Sequence, residues 1–262
     1  MSLPKPDIVI FDMDGTTVRH VNPRLLHILE RVDDFVFTIL QCRDWLFRRG
    51  CRMVYDPREL ANRRKPRLIG HRAMHKVRRK PVNEIVEPCP GIYAVLTLLA
   101  AHNIPIALVS NGLGKGYGHD ILKHYGLGGF YRATIFREDI TTSKPNPEAL
   151  LVALREMKLD VKPGDVIWHI GDRHKDIIAA MAAQDHIAGT MVPIAYGFNA
   201  ALAVLEKNIG PDHIMMSYYD MLDVLRRLLV DAPGQAASVQ AAQGQAAQGQ
   251  AAPKVYSTRN GS

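Results

Sequence analysis

Cysteine is scarce in this 262-residue chain: Cys42, Cys51 and Cys89 are its only three, and they form no Cys-x-x-Cys pair. That usage fits a reducing compartment. Long apolar runs are missing as well. No stretch of about 18 residues is apolar and free of charge, so no transmembrane helix is expected. The first residues, Met1-Ser2-Leu3-Pro4-Lys5-Pro6, meet Asp7 without a signal-like apolar core. A cytoplasmic protein without a membrane span is the expectation. The bulk composition, 47% hydrophobic, 23% charged and 7% aromatic, is that of a globular chain long enough for one large domain or two smaller ones.

Acidic residues are sparse in one region. Between Arg19 and Lys80 there are 17 Lys and Arg against 6 Asp and Glu. The remainder holds 16 basic and 20 acidic residues, so the net charge of +7 is carried by this one segment. Such asymmetry predicts an insertion facing an anionic partner. Within it, residues 22–50 read as a helix. Asn22 is a plausible N-cap, Pro23 falls in the first turn, and Leu25, Leu29, Val32, Val36, Ile39 and Leu40 make one apolar stripe. That stripe suits a cap core or a dimer surface, leaving monomer and homodimer both open. Residues 52–80 are basic and broken by Pro57 and Pro66. Residues 232–253 are built almost wholly from Ala, Gln and Gly, and read as a disordered tail or a loose helix.

From Pro90 the chain alternates. Helices are expected near 91–102, 119–125, 147–157, 174–183 and 220–229. Strands are expected at 8–11, 105–109, 133–136, 165–170, 186–192 and 213–216. Repeated strand–helix units imply a mostly parallel sheet with helices on both faces, whose sites gather at the carboxyl ends of the strands.

Four polar clusters follow such strand ends. Asp12-Met13-Asp14-Gly15-Thr16-Thr17 follows Ile8-Val9-Ile10-Phe11. One of its carboxylates can attack phosphorus and hold Mg²⁺, while the other gives and takes a proton. Ser110-Asn111-Gly112 offers a hydroxyl and a backbone N–H to phosphate oxygens. Lys144, framed by Pro145 and Pro147, supplies a point charge. Asp172 and Asp176 lie four apart at a helix start, where both can share one face and a hard cation needs only one or two carboxylates. Each cluster also has a plainer reading as a turn, a cap or a surface lysine. His169 reads as structural, and His174 could reach the mouth of the pocket. Met157 and Met181 read as packing residues.

With all four clusters in order, the chain resembles the haloacid dehalogenase-like superfamily. The matching residues are Asp12-x-Asp14-Gly15-Thr16, Ser110-Asn111, Lys144-Pro145-x-Pro147-Glu148 and Gly171-Asp172-x-x-x-Asp176, and the last two patterns look most like its phosphoglycolate phosphatase-like branch. The resemblance implies an α/β fold. A Rossmann-like doubly wound parallel sheet (1–19 and 88–230) would carry a basic, mostly helical cap inserted after the first strand (20–87), with the low-complexity tail at 231–262. It also implies a Mg²⁺-dependent phosphatase acting on a small phosphorylated substrate through an aspartyl-phosphate.

The implied roles fall residue by residue. Asp12 would be the nucleophile, Asp14 the general acid/base with its backbone carbonyl on the metal, and Lys144 the neutralising charge. Ser110 and Asn111 would bind phosphate. Asp172 would ligate the metal, with Asp176 at or just behind it. The aspartate at 14 favours phosphoryl transfer, since dehalogenase members lack its equivalent. Thr17 and Gln184 depart from the pattern, standing where a branched aliphatic residue and a glycine are more usual. Neither was expected to touch the chemistry.

The basic segment leaves the substrate open. Arg63, Arg64, Lys65, Arg67, His71, Arg72 and Arg78-Arg79-Lys80 are candidates to meet a leaving group or to keep the cap soluble. Two alternatives to the phosphatase stand beside it. One is a phosphotransferase or phosphomutase using the same intermediate. The other is a protein directed at nucleic acid or another polyanion through the basic cap, although only Tyr55 offers a stacking aromatic within 52–80.

Overall fold

The computed structural model describes residues 3–21 and 81–230. The expected helix at 22–50, the basic stretch at 52–80 and the tail at 231–262 lie outside the described residues.

The centre of the molecule is β1, Ile8–Asp12, whose five residues are all buried. A strand covered on both faces reads as a continuous apolar run rather than an alternating one. It pairs in parallel with β4, Ile106–Val109, and with β6, Val166–Gly171. Beyond β4 lies β5, Ala133–Ile135. Beyond β6 lie β7, Thr190–Tyr196, and β8, Ile214–Met215. The six-stranded order is β5-β4-β1-β6-β7-β8. The chain therefore runs outward from β1 through β4 to β5, then crosses back to β6 and runs out the other way. Beside such a reversal, the carboxyl ends of the strands leave a crevice.

Successive residues of β1 serve opposite faces. Val9 and Phe11 join the core under α2 (Ile92–Ala101), α3 (Lys115–His124) and α7 (Tyr218–Leu229). Ile8 and Ile10 join the core under α4 (Glu148–Glu156) and α5 (His174–Ala183). A third cluster seats α6, Phe198–Glu206, on Ile177, Ala195 and Ile214. The expected parallel α/β sheet is the fold observed. No described helix is long and apolar enough to cross a membrane.

Three features differ from the expectations. The strand placed at 186–192 runs over Thr190–Tyr196, because Gln184–His186 forms a 3₁₀ turn. Pro193 is tolerated inside it because β8 pairs only with Ala195 and Tyr196, so β7 is an edge strand at that point. Helix α6 was not anticipated. A small two-stranded sheet also escaped notice: β2, Val18–His20, pairs antiparallel with β3, Val86–Pro88, after the short helix α1 at Val82–Ile85. These strands bring the residues on either side of the basic stretch of sequence together, with Arg19 Nε 2.8 Å from Glu87 Oε1.

Candidate active site

The loops after β1, β4 and β6 and the loop before α4 converge at one end of the sheet. Asp12, the last residue of β1, is buried, and its carboxylate meets the Lys144 ammonium. Lys144 is 2% exposed and also places Nζ 2.7 Å from Asp176 Oδ1. Carboxylate oxygens of Asp12, Asp172 and Asp176 lie within 4.8 Å of one another. Four of the seven candidate residues therefore share one centre.

Asp14 is not one of the carboxylates in that 4.8 Å group, though its charge is felt by Asp12 and Asp172. Its Oδ2 accepts the Ser110 hydroxyl at 3.0 Å, while the Leu113 N–H donates to Ser110 Oγ at 3.1 Å. The Ser110 hydroxyl thus ties the loop after β4 to the loop after β1. Asn111 is adjacent, and its buried Oδ1 has no hydrogen-bond partner among the described residues. The buried Thr16 hydroxyl and Asp172 Oδ1 are likewise unpartnered. Buried polar atoms are normally satisfied, so three orphans on three converging loops point to a missing ligand.

Two glycines make the approach of these loops feasible. Gly15 has φ +84°, and a Cβ there would run into the Asp172 carboxylate. A Cβ on Gly171 would run into the Asp176 side chain. Arg173 N donates to Asp176 Oδ2 at 3.0 Å, so both Asp176 oxygens are already engaged while Asp172 keeps one free.

The electrostatics follow from dryness and charge excess. Burial pushes the Asp12 carboxyl well up; Lys144 opposes this, while Asp176 and Asp14 add to it. Burial also lifts Asp172 to about 6, with the Asp176 charge adding and Arg173 opposing. Burial would raise Asp176 too, but Lys144 and His169 hold it below the usual carboxylate range. Burial alone would lower Lys144, yet Asp12 and Asp176 hold it above its ordinary value. Three carboxylates against one ammonium leave two negative charges when all are ionised. The donor set is all oxygen, the excess is that of a divalent cation, and one carboxylate oxygen is orphaned. These residues fit Mg²⁺.

Several contributors escaped the sequence reading. Thr17 donates its hydroxyl to the Asp12 carbonyl at 2.8 Å, with the Tyr131 hydroxyl 3.5 Å behind it. The departure at position 17 therefore does touch the strand end that carries Asp12. Tyr218 on α7 donates to the Thr16 carbonyl at 2.9 Å. Gln184 brackets the turn before β7, donating to Gly189 O at 3.0 Å and accepting from Met191 N at 2.8 Å. His169 is buried under the site, with Nδ1 3.1 Å from the Ile10 carbonyl and Nε2 3.9 Å from Asp176 Oδ1. Burial holds it below the usual histidine value, with Asp176 opposing. The Nδ1–H tautomer donates to Ile10. His174 faces α6 instead of the acidic centre, its Nε2 3.4 Å from Glu206 Oε2. Only a residue's direction and its distant partners reveal such roles, and neither is written in local sequence.

Comparison with known proteins gives the family. A family model described as haloacid dehalogenase-like hydrolase matches residues 9–189. A phosphoglycolate phosphatase of Yersinia pseudotuberculosis is 27% identical over 146 residues, which is 56% of this chain and 59% of that protein. The chain thus spans little more than half the length of that relative. Phosphoglycolate phosphatase 1 of Pseudomonas aeruginosa is 25% identical over 83% of this chain and 79% of its own. Pyrophosphatase PpaX of Oceanobacillus iheyensis is 24% identical over 83% of this chain and 95% of its own. Among solved structures, a HAD-superfamily hydrolase from Ehrlichia chaffeensis shares the fold with a TM-score of 0.52 and 22% identity, covering 87% of this chain and 99% of that one. With the family match spanning most of the chain and the four motif clusters gathered at one end of its sheet, this protein belongs to the haloacid dehalogenase-like hydrolases.

Proposed function

We propose that the chain is a Mg²⁺-dependent phosphatase that hydrolyses a small phosphomonoester through an aspartyl-phosphate on Asp12, in the manner of phosphoglycolate phosphatase. The observation that carries this reading is the Asp12 carboxylate, buried at a strand end against Lys144 and within 4.8 Å of the Asp172 and Asp176 carboxylates. The relatives named for phosphoglycolate and pyrophosphate hydrolysis support the phosphate chemistry.

In this reading an Asp12 oxygen attacks phosphorus and the P–O bond to the leaving group breaks. Asp14 gives its proton to the departing oxygen. Water then attacks phosphorus, Asp14 takes back a proton, and the acyl-phosphate P–O bond breaks to free Asp12 and inorganic phosphate. Ser110, the Asn111 amide and the orphaned Thr16 hydroxyl would bind the phosphoryl oxygens. Lys144 opposes the burial that pushes the Asp12 carboxyl up, favouring its ionised form in a dry site. Mg²⁺, held by Asp12, Asp172 and the Asp14 backbone carbonyl with Asp176 behind them, would add charge stabilisation for the phosphoryl oxygens.

The test is a panel of phosphomonoesters with Mg²⁺, run for the wild type and Asp12→Asn. Free phosphate that disappears in Asp12→Asn supports the reading. Transfer to a sugar hydroxyl without free phosphate would replace it with a phosphotransferase. Absence of turnover together with tight, salt-sensitive nucleic-acid binding would replace it with the polyanion-directed reading.

A further inference from the structure

The loop that delivers Lys144 is closed by a carboxylate four residues downstream. Glu148 is the first residue of α4. Its carboxylate accepts the Thr141 N–H at 2.8 Å and the Thr142 N–H at 2.6 Å. The Thr141 hydroxyl lies 2.9 Å from Oε1 and 2.8 Å from Oε2 and donates to one of them. From the other side, Asn146 Oδ1 accepts the Glu148 N–H at 2.9 Å, and Asn146 N donates to Ser143 O at 3.2 Å. Residues 141–148 thus form a ring pinned to the first turn of α4, with Lys144 midway around it. Burial alone would raise the Glu148 carboxyl, but the bonds from Thr141 and Thr142 hold it below the usual glutamate value. It is the ionised form that accepts two backbone N–H groups and a hydroxyl together.

Lysine is a flexible four-carbon stem with a point charge at its tip. Lys144 must reach Asp12 and Asp176 at once from a loop that does not belong to the sheet. Nothing in its own side chain fixes that aim, so the aim must come from the backbone that carries it. We propose that Glu148 is a positioning residue for Lys144, closing the 141–148 ring so that the ammonium is delivered to the Asp12 carboxylate. Asn146 already accepts the first N–H of α4, so the Glu148 carboxylate is free to serve the loop rather than its own helix.

This inference rests on the aspartyl-phosphate reading only for its kinetic arm. Glu148→Gln keeps the shape but sets an amide NH₂ against a backbone donor. Its expected effect is a 10- to 100-fold fall in kcat with KM within threefold. Thr141→Val removes only the hydroxyl and should cost about threefold. In a Lys144→Met background, Glu148→Gln should change residual turnover by less than twofold, because the aim of a missing ammonium no longer matters. The direct readout is the ¹⁵N resonance of the Lys144 ammonium, whose slowly exchanging protons should vanish in Glu148→Gln and weaken in Thr141→Val. An unchanged resonance overturns the proposal. So does a loss of thermal stability with kcat within twofold, which is the signature of a helix cap alone. Should Glu148→Gln not fold, Thr141→Val decides. If the wild type releases no phosphate from any ester, the proposed function fails, while the resonance still decides the role of Glu148.

Discussion

Thr17 shows how much a single hydroxyl can contribute beneath this site. It is fully buried, and its Oγ1 donates to the carbonyl of Asp12 at 2.8 Å. Thr17→Val keeps the volume and removes the donor, leaving a buried carbonyl short of a partner at a cost of about 1–3 kcal/mol. A lower urea midpoint with an unchanged m-value is the expected outcome, together with slower turnover if Asp12 is the nucleophile proposed above, because its backbone is freed. Gly15→Ala should act differently. The backbone at φ +84° disfavours any side chain, and the added methyl displaces Asp172. Mg²⁺ affinity measured by titration calorimetry should fall at least tenfold, on the scale of a displaced metal-site partner. At this scale the residues that converge on the candidate site were legible in sequence. A strand-end carboxylate pair, a lysine framed by prolines and an Asp-x-x-x-Asp at a helix start each have few equivalents for the task. Thr17, Tyr131, Tyr218 and His169 were not legible as partners of the site, because a hydroxyl or imidazole in a core strand or helix looks the same whichever neighbour it meets.

The same contrast runs through the elements. Strands β1, β4 and β6 were legible because burial on both faces demands apolar runs, interrupted in β6 only by His169. Helix α6 was missed because its pattern is inverted. Ala200, Ala201, Ala203 and Val204 face inward, while Phe198, Leu202 and Leu205 are 67%, 47% and 57% exposed. The helix seats closely on its neighbours through small residues, so apolar size does not mark its buried face. Ala203→Leu should therefore overpack the contact with α5 and β7 and cost about 1–3 kcal/mol. Leu205→Lys on the outer face should stay within about 0.5 kcal/mol. Urea denaturation of the two variants checks this ordering, which is the reverse of what a hydrophobicity scale gives. Strands β2 and β3 were missed for another reason: each is three residues long, and the two partners are more than sixty residues apart in sequence.

For the whole molecule, the acidic centre makes stability depend on pH, and under the proposed Mg²⁺ reading on divalent cation as well. Asp172 rises from an ordinary value of 3.8 to about 6 on folding, through burial first and the Asp176 charge second. Between those two values the folded state holds a proton that the unfolded chain has released. Stability is therefore highest below the unfolded value and is lost as pH climbs through about 6. The loss is on the order of 3 kcal/mol for a shift of this size. Asp12 shifts in the same direction. Asp176 shifts the other way, and its contribution is lost only in acid below the window of Asp172. Under the proposed reading Mg²⁺ would bind the ionised carboxylates, and would so compete with the very protons that stabilise the metal-free fold. At pH 5 added Mg²⁺ should raise the melting temperature little, and at pH 7.5 it should raise it by several degrees. Asp172→Asn removes one of the two upward-shifted carboxyls, so it should weaken the metal-free pH dependence, leaving the part carried by Asp12, and abolish most of the Mg²⁺ shift. Scanning calorimetry of both proteins at the two pH values, with EDTA or Mg²⁺, tests this coupling. A Mg²⁺ shift equal at both pH values, or one that survives in Asp172→Asn, would place the cation elsewhere.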